Sequence, residues 1–132
     1  MTTRAPAVGM GLIAVALLVV IGWSVWTPPP WSFLTRTELP QCPRVDAEQA
    51  VEFDVVGACL FDDLARHRGA ELLVASLTDE GGEIRTYYRA LPQTTGLEVW
   101  SDMSDDRYGG GWDHRVCPEA VSLTVLGTCR DV

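Results

Sequence analysis

Residues 5–26 contain no formal charge, and GLIAVALLVVIG at the centre of this run is aliphatic on every side. A surface helix keeps a polar face, and this stretch has none. As a helix its twenty-two residues span about 33 Å, enough for a hydrocarbon core of about 30 Å. Trp23, Trp26 and Trp31 gather at the downstream end, where amphipathic rings favour the headgroup region. The pattern predicts a transmembrane helix over 5–26. A cleaved signal peptide is the competing reading, because Gly22-Trp23-Ser24 has small residues at the two positions a signal peptidase reads.

Thr27-Pro28-Pro29-Pro30 follows directly, and Pro40 and Pro43 continue the irregular character. Consecutive prolines favour an extended, stiff segment, so residues 27–44 read as a spacer. Asp46 then suits a helix N-cap, with Gln49 three residues on and Ala47, Ala50 and Val51 at helical spacing. A second short helix is written over 61–68. Phe61, Leu64 and Ala65 form its apolar face; Asp62 and Asp63 sit in its first turn, and Arg66, His67 and Arg68 in its last. Both charge placements match the helix dipole, and Gly69 supplies the stop.

From Glu71 the period changes. ELLVASL reads as a buried strand, and Asp79-Glu80-Gly81-Gly82 as a turn. In EIRTYYRAL, Ile84, Thr86, Tyr88 and Ala90 alternate with Arg85, Tyr87 and Arg89, and LEVWS makes a third strand. WDHRV and SLTVL are candidates for a fourth and a fifth. The short connections imply an antiparallel meander. The predicted class is α+β: an N-terminal transmembrane helix, then two short helices packed on an antiparallel sheet of three to five strands. The implied organisation is a cytoplasmic tail over 1–4, the membrane helix over 5–26, a proline-rich linker over 27–44 and an extracytoplasmic domain over 45–132.

Charge narrows the partners. The chain has ten basic residues, all Arg, and only Arg4 precedes the apolar run, so nine Arg face eighteen acids beyond it. A domain so acidic is repelled by phosphate backbones, which argues against nucleic acid. Arg4 and the amino terminus lie before the run and all four Cys after it. Both features orient the N-terminus to the cytoplasm and the domain to an oxidising compartment. Cys42, Cys59, Cys117 and Cys129 allow three pairings. The favoured one joins Cys117 to Cys129 near the C-terminus, leaving Cys42 for Cys59. None forms a C-x-x-C pair, so neither a thioredoxin-like redox site nor a zinc ribbon is encoded.

The polar loop SDMSDDRYGGGWDH concentrates Asp102, Asp105, Asp106 and Asp113, four carboxylates able to supply oxygens to a cation. It lacks the alternating donors and the twelfth-position Glu of an EF-hand. Its three glycines are followed by no Lys, so a phosphate loop is not written either. Ser76, Ser101 and Ser104 could pair with His67 or His114, but no nucleophile-elbow sequence surrounds them. Among the aromatics, Tyr87 and Trp100, with Arg89, alternate out of phase with the expected core. They form a candidate binding face on an open side of the sheet.

The order DAEQAV, DVVG, FDDLARH, ELLVASLTDEGGEIRTYYRAL, LEVWSD, DDRYGG resembles a bacterial family of small envelope domains, many of them lipoproteins, of unknown function. The resemblance covers a little over half of the chain and implies an extracytoplasmic α+β domain. It implies no activity, cofactor or catalytic residue. Two classes of function follow. The preferred one is a membrane-anchored, non-enzymatic module that binds an envelope protein or a cell-wall component, with no cofactor. The other is a small envelope enzyme or cation-binding domain built on Asp105, Asp106 and His114 in the 102–114 loop.

Overall fold

A computed structural model describes residues 28–47 and 53–132. Element order is α1 (Trp31–Leu34), β1 (Val45–Asp46), α2 (Phe53–Phe61), α3 (Asp63–Arg68), β2 (Ala70–Leu77), β3 (Glu83–Ala90), β4 (Leu97–Met103), β5 (Gly111–Cys117) and β6 (Arg130–Asp131). The strands form one sheet in sequence order, β1 to β6. β1 pairs with β2 in parallel and every other pair is antiparallel.

This corrects the expected class. The sheet has six strands and is mixed, and the described residues hold three short helices rather than two. Among the described residues no helix is long and apolar enough to cross a membrane. The run over 5–26, for which a membrane helix is predicted, lies outside the described residues.

Local chemistry explains the central hairpins. Gly81 has φ 85°, and the Thr78 N–H donates to Gly82 O at 2.9 Å, closing the β2–β3 turn where the Asp-Glu-Gly-Gly signal stands. Counting back from that turn sets the register Leu72↔Tyr88 and Glu71↔Arg89. Asp62 caps α3, its carboxylate accepting from the Ala65 N–H at 2.6 Å. Gly69, at φ 75°, ends it.

Asp46 does not cap a helix. It lies in β1 opposite Ala75, and its carboxylate accepts from Arg44 Nε. Gln49, Ala50 and Val51 fall outside the described residues. SLTVL forms no strand. Ser122 and Val125 close a turn instead, and Leu123 and Leu126 pack on the core. Its alternation suits a strand, but β5 pairs instead with Arg130 and Asp131, beyond the Cys117–Cys129 bridge.

One face of the sheet, carrying Ala70, Leu72, Val74, Tyr88, Leu97, Val99 and Cys117, meets Leu60 of α2 and Ala65 of α3 in the main core. A Cβ at Gly57 would stand 2.8 Å from the Leu123 side chain, so α2 approaches the C-terminal segment closely there. The bridges Cys42–Cys59 and Cys117–Cys129 form, the pairing the spacing favours. The first ties the N-terminal segment to α2 and the second ties the C-terminal segment to the end of β5. Two formed disulfides point to an oxidising, extracytoplasmic location.

The opposite face is also covered, which an open-faced sheet does not anticipate. The segment read as a spacer lies across it, with Phe33 7% and Leu39 7% exposed. Tyr87, Trp100 and Trp112 make this face too apolar to leave wet, and upstream chain buries it. The proline-rich stretch therefore belongs to the folded unit from about residue 30 onward.

Candidate functional site

Strand register lines up charge on the covered face. Glu71 stands opposite Arg89, and Arg89 opposite Glu98, on three adjacent strands. Arg89 Nε donates to Glu71 Oε2 at 2.9 Å, and its Nη1 donates to Glu98 Oε2. Its Nη2 donates to the Thr37 carbonyl on the covering segment. Arg36 forks onto both Glu71 oxygens at 3.1 and 3.0 Å, and Gln41 Nε2 donates to Oε1 at 3.3 Å. At the far end His114 Nε2 meets Glu98 Oε1 at 3.0 Å, while its ring stacks on Trp100 with centroids 3.5 Å apart.

Arg89 and Glu71 are each 3% exposed. Charges so buried persist only when paired, and here each guanidinium and carboxylate meets its opposite. Burial alone would raise the Glu71 carboxyl. Hydrogen bonds from Arg36 and Gln41 and the charges of Arg36 and Arg89 outweigh it and hold the group below its ordinary value. Burial pushes the Tyr87 and Tyr88 hydroxyls up. On Arg85, the hydrogen bond from its own Nε to Glu83 holds the guanidinium above its usual value. Chemically, the row fastens the 30–41 segment to the sheet.

The structure therefore corrects the open binding face. Arg89 and Trp100 are each 3% exposed, and Tyr87 is half-buried against Phe33 at 4.9 Å. Their alternation out of phase with the core is real: the register puts them on the face opposite Leu72 and Val99. That face is simply not open. Phe33, Arg36 and Glu98 carry no site signal in the sequence, and His114, a candidate there for the 102–114 loop, belongs instead to this row. Glu71 carries one: it is a lone Glu heading an apolar strand, placed across from Arg89 by the turn.

The four loop carboxylates do not converge. Asp102 and Asp113 sit on neighbouring strands one register step apart, Asp102 opposite Trp112 and Asp113 opposite Ser101. Their side chains therefore point to opposite faces of the sheet. Asp102 accepts from the Ser104 N–H and faces Arg85 at 3.6 Å. Asp105 lies 3.9 Å from Arg85, Asp106 accepts from the Tyr108 N–H, and Asp113 pairs with Arg115 at 2.6 Å. Among the described residues no three of His, Cys, Asp and Glu gather around a metal position. His114 is engaged with Glu98 and Trp100, on the face opposite Ser101.

A concavity lies elsewhere, at the end of the sheet where β3 turns into β4. It is a cleft of about 500 Å³ with Leu60, Phe61, Ala65, Leu91, Pro118 and Val121 among its walls, and Arg66, Thr94, Thr95 and Glu119 beside them. Its walls are braced. The Gln93 N–H donates to Arg66 O, which ties the β3–β4 loop to α3. Gly96, at φ 77°, lies so close to the β5 exit that a Cβ there would meet Cys117 O at 2.1 Å. The Cys117–Cys129 bridge holds that exit in place. No family model, curated protein or solved structure matches the chain.

Proposed function

We propose that the chain is a non-enzymatic binding module of the extracytoplasmic space. It is held at a membrane by its apolar N-terminal run, and it captures a segment of another extracytoplasmic protein in the cleft between α3, the β3–β4 loop and residues 118–121. The cleft carries this reading: its walls are braced and mix apolar side chains with hydroxyls and one charge of each sign. Such a site suits a peptide segment with a few fixed polar contacts. The titratable groups that do cluster are paired with one another, which is the chemistry of a fastener. The two disulfides and the motif order that resembles small envelope domains support the compartment.

A photo-crosslinking side chain at Val121, which is 67% exposed at the cleft wall, tests it. In envelope preparations this probe should give one discrete protein adduct, lost when Thr95→Arg narrows the cleft and absent from a probe at the Asp79 turn. Equal adducts from both probe positions, or co-sedimentation with purified cell wall that Thr95→Arg leaves unchanged, would refute the reading.

A further inference from the structure

The covering segment leaves part of the face beneath it unsatisfied. In α1 the Phe33 and Leu34 N–H groups donate to Pro30 O and the Thr35 N–H to Trp31 O, all within the segment. The first backbone bonds to the sheet come at Pro40 and Cys42, both to Glu71. Before that point the hold is made by the Phe33, Arg36 and Leu39 side chains and the Thr37 carbonyl. Phe33 fills an aromatic cage, its ring centroid 4.9 Å from Tyr87, 5.5 Å from Trp100 and 4.4 Å from Trp112. Arg36 lies over the same ring at 3.7 Å and continues to Glu71. Yet the indole Nε1 atoms of Trp100 and Trp112 are buried with no acceptor. A buried donor without a partner destabilises the state that buries it.

We propose that the Tyr87–Trp100–Trp112 cage is a second peptide-recognition site, distinct from the cleft, which the chain's own residues 30–41 keep filled. The partner is a protein segment that carries an aromatic residue on a helical turn and, three positions later, an arginine. The resident strap defines this chemistry. Its aromatic ring fills the cage, its Arg meets Glu71, and its backbone carbonyl meets Arg89. A partner that also presents an oxygen to the indole N–H groups gains what the strap lacks, and so displaces it. The Cys42–Cys59 bridge keeps the released strap attached beside its seat, so release is reversible.

The probe is a fluorescein-labelled peptide copying residues 30–40, added to the full chain. Phe33→Ala empties the cage, and this variant should bind the peptide at least tenfold more tightly than the unaltered chain. Adding Glu71→Gln should weaken that binding again. A Phe33→Ala chain that keeps its near-UV signal but ignores the peptide, or takes a scrambled one equally well, overturns the proposal. Should Phe33→Ala not fold, the unaltered chain decides. The Trp100 indole N–H should exchange with solvent well ahead of the Tyr88 amide in β3. Exchange of both in step means the cage opens only on global unfolding, and the proposal fails.

Discussion

Arg89 offers the sharpest test of the reasoning. Its side chain is 3% exposed, and three acceptors depend on it: Glu71, Glu98 and the Thr37 carbonyl. Arg89→Met keeps the volume and removes the charge. Glu71 retains Arg36 and Gln41, but Glu98 keeps only His114, and the covering segment loses a donor. Breaking a buried ion pair from one side costs about 3–5 kcal/mol, against a total of about 5–15 kcal/mol for a domain. In a domain of this size the expected fall in Tm is roughly 15–30 °C. Urea unfolding with disulfides intact, followed by tryptophan fluorescence, measures it, and an unchanged m-value confirms that the change lies in stability. Arg89→Lys should be nearly as harmful, because a single ammonium cannot fork to three separated acceptors. Adding Glu98→Gln to Arg89→Met should recover part of the loss by removing the stranded charge. A cost below about 1 kcal/mol for Arg89→Met, the range of a solvated surface pair, would refute the sealed face.

Trp100→Ala should cost about 3–5 kcal/mol by urea unfolding, since the ring is 3% exposed; a near-neutral result would restore the open face. Because Glu71 is held below its ordinary value of 4.5, its contribution to stability is fully present above about pH 4.5 and is lost as the pH falls through the depressed folded value. The stability gap between the unaltered chain and Glu71→Gln should therefore narrow in unfolding curves taken at successively lower pH, and a gap that widens would reverse the sign. Replacing Cys117 and Cys129 together by Ser should lower stability by about 3 kcal/mol for a loop of this length, read as a shift in the urea midpoint; an unchanged midpoint would show that the bridge does not constrain the C-terminal segment.

Several features were legible in the order of residues alone. Strand β2 follows from the apolar run ELLVASL, strands β3 and β4 from EIRTYYRAL and LEVWS, and the turn between β2 and β3 from Asp79-Glu80-Gly81-Gly82. The stop of α3 at Gly69 was legible because positive φ depends on a few neighbouring residues, whereas Asp62, expected inside the first turn, caps the helix from outside it. The disulfide pairing followed from two short loop closures. Each of these is settled by contacts within about twenty positions of chain, where period and turn chemistry act.

Tertiary structure decided the rest. Arg36 reaches Glu71 across 35 positions, and Thr37 reaches Arg89 across 52. No local period reports which distant segment will cover a sheet face, so Tyr87, Arg89 and Trp100 looked open when Arg89 and Trp100 are sealed and Tyr87 is half-buried. Asp46 had a helix-capping context, but pairing with Ala75 in a parallel edge strand overrode it. Asp102 and Asp113 are close in sequence, yet strand register sends them to opposite faces. Sequence alone could say which residues alternate together. Which of the alternating sets water reaches depended on where residues 30–41 came to rest, and that was decided by burial of aromatic surface and pairing of charge across the fold.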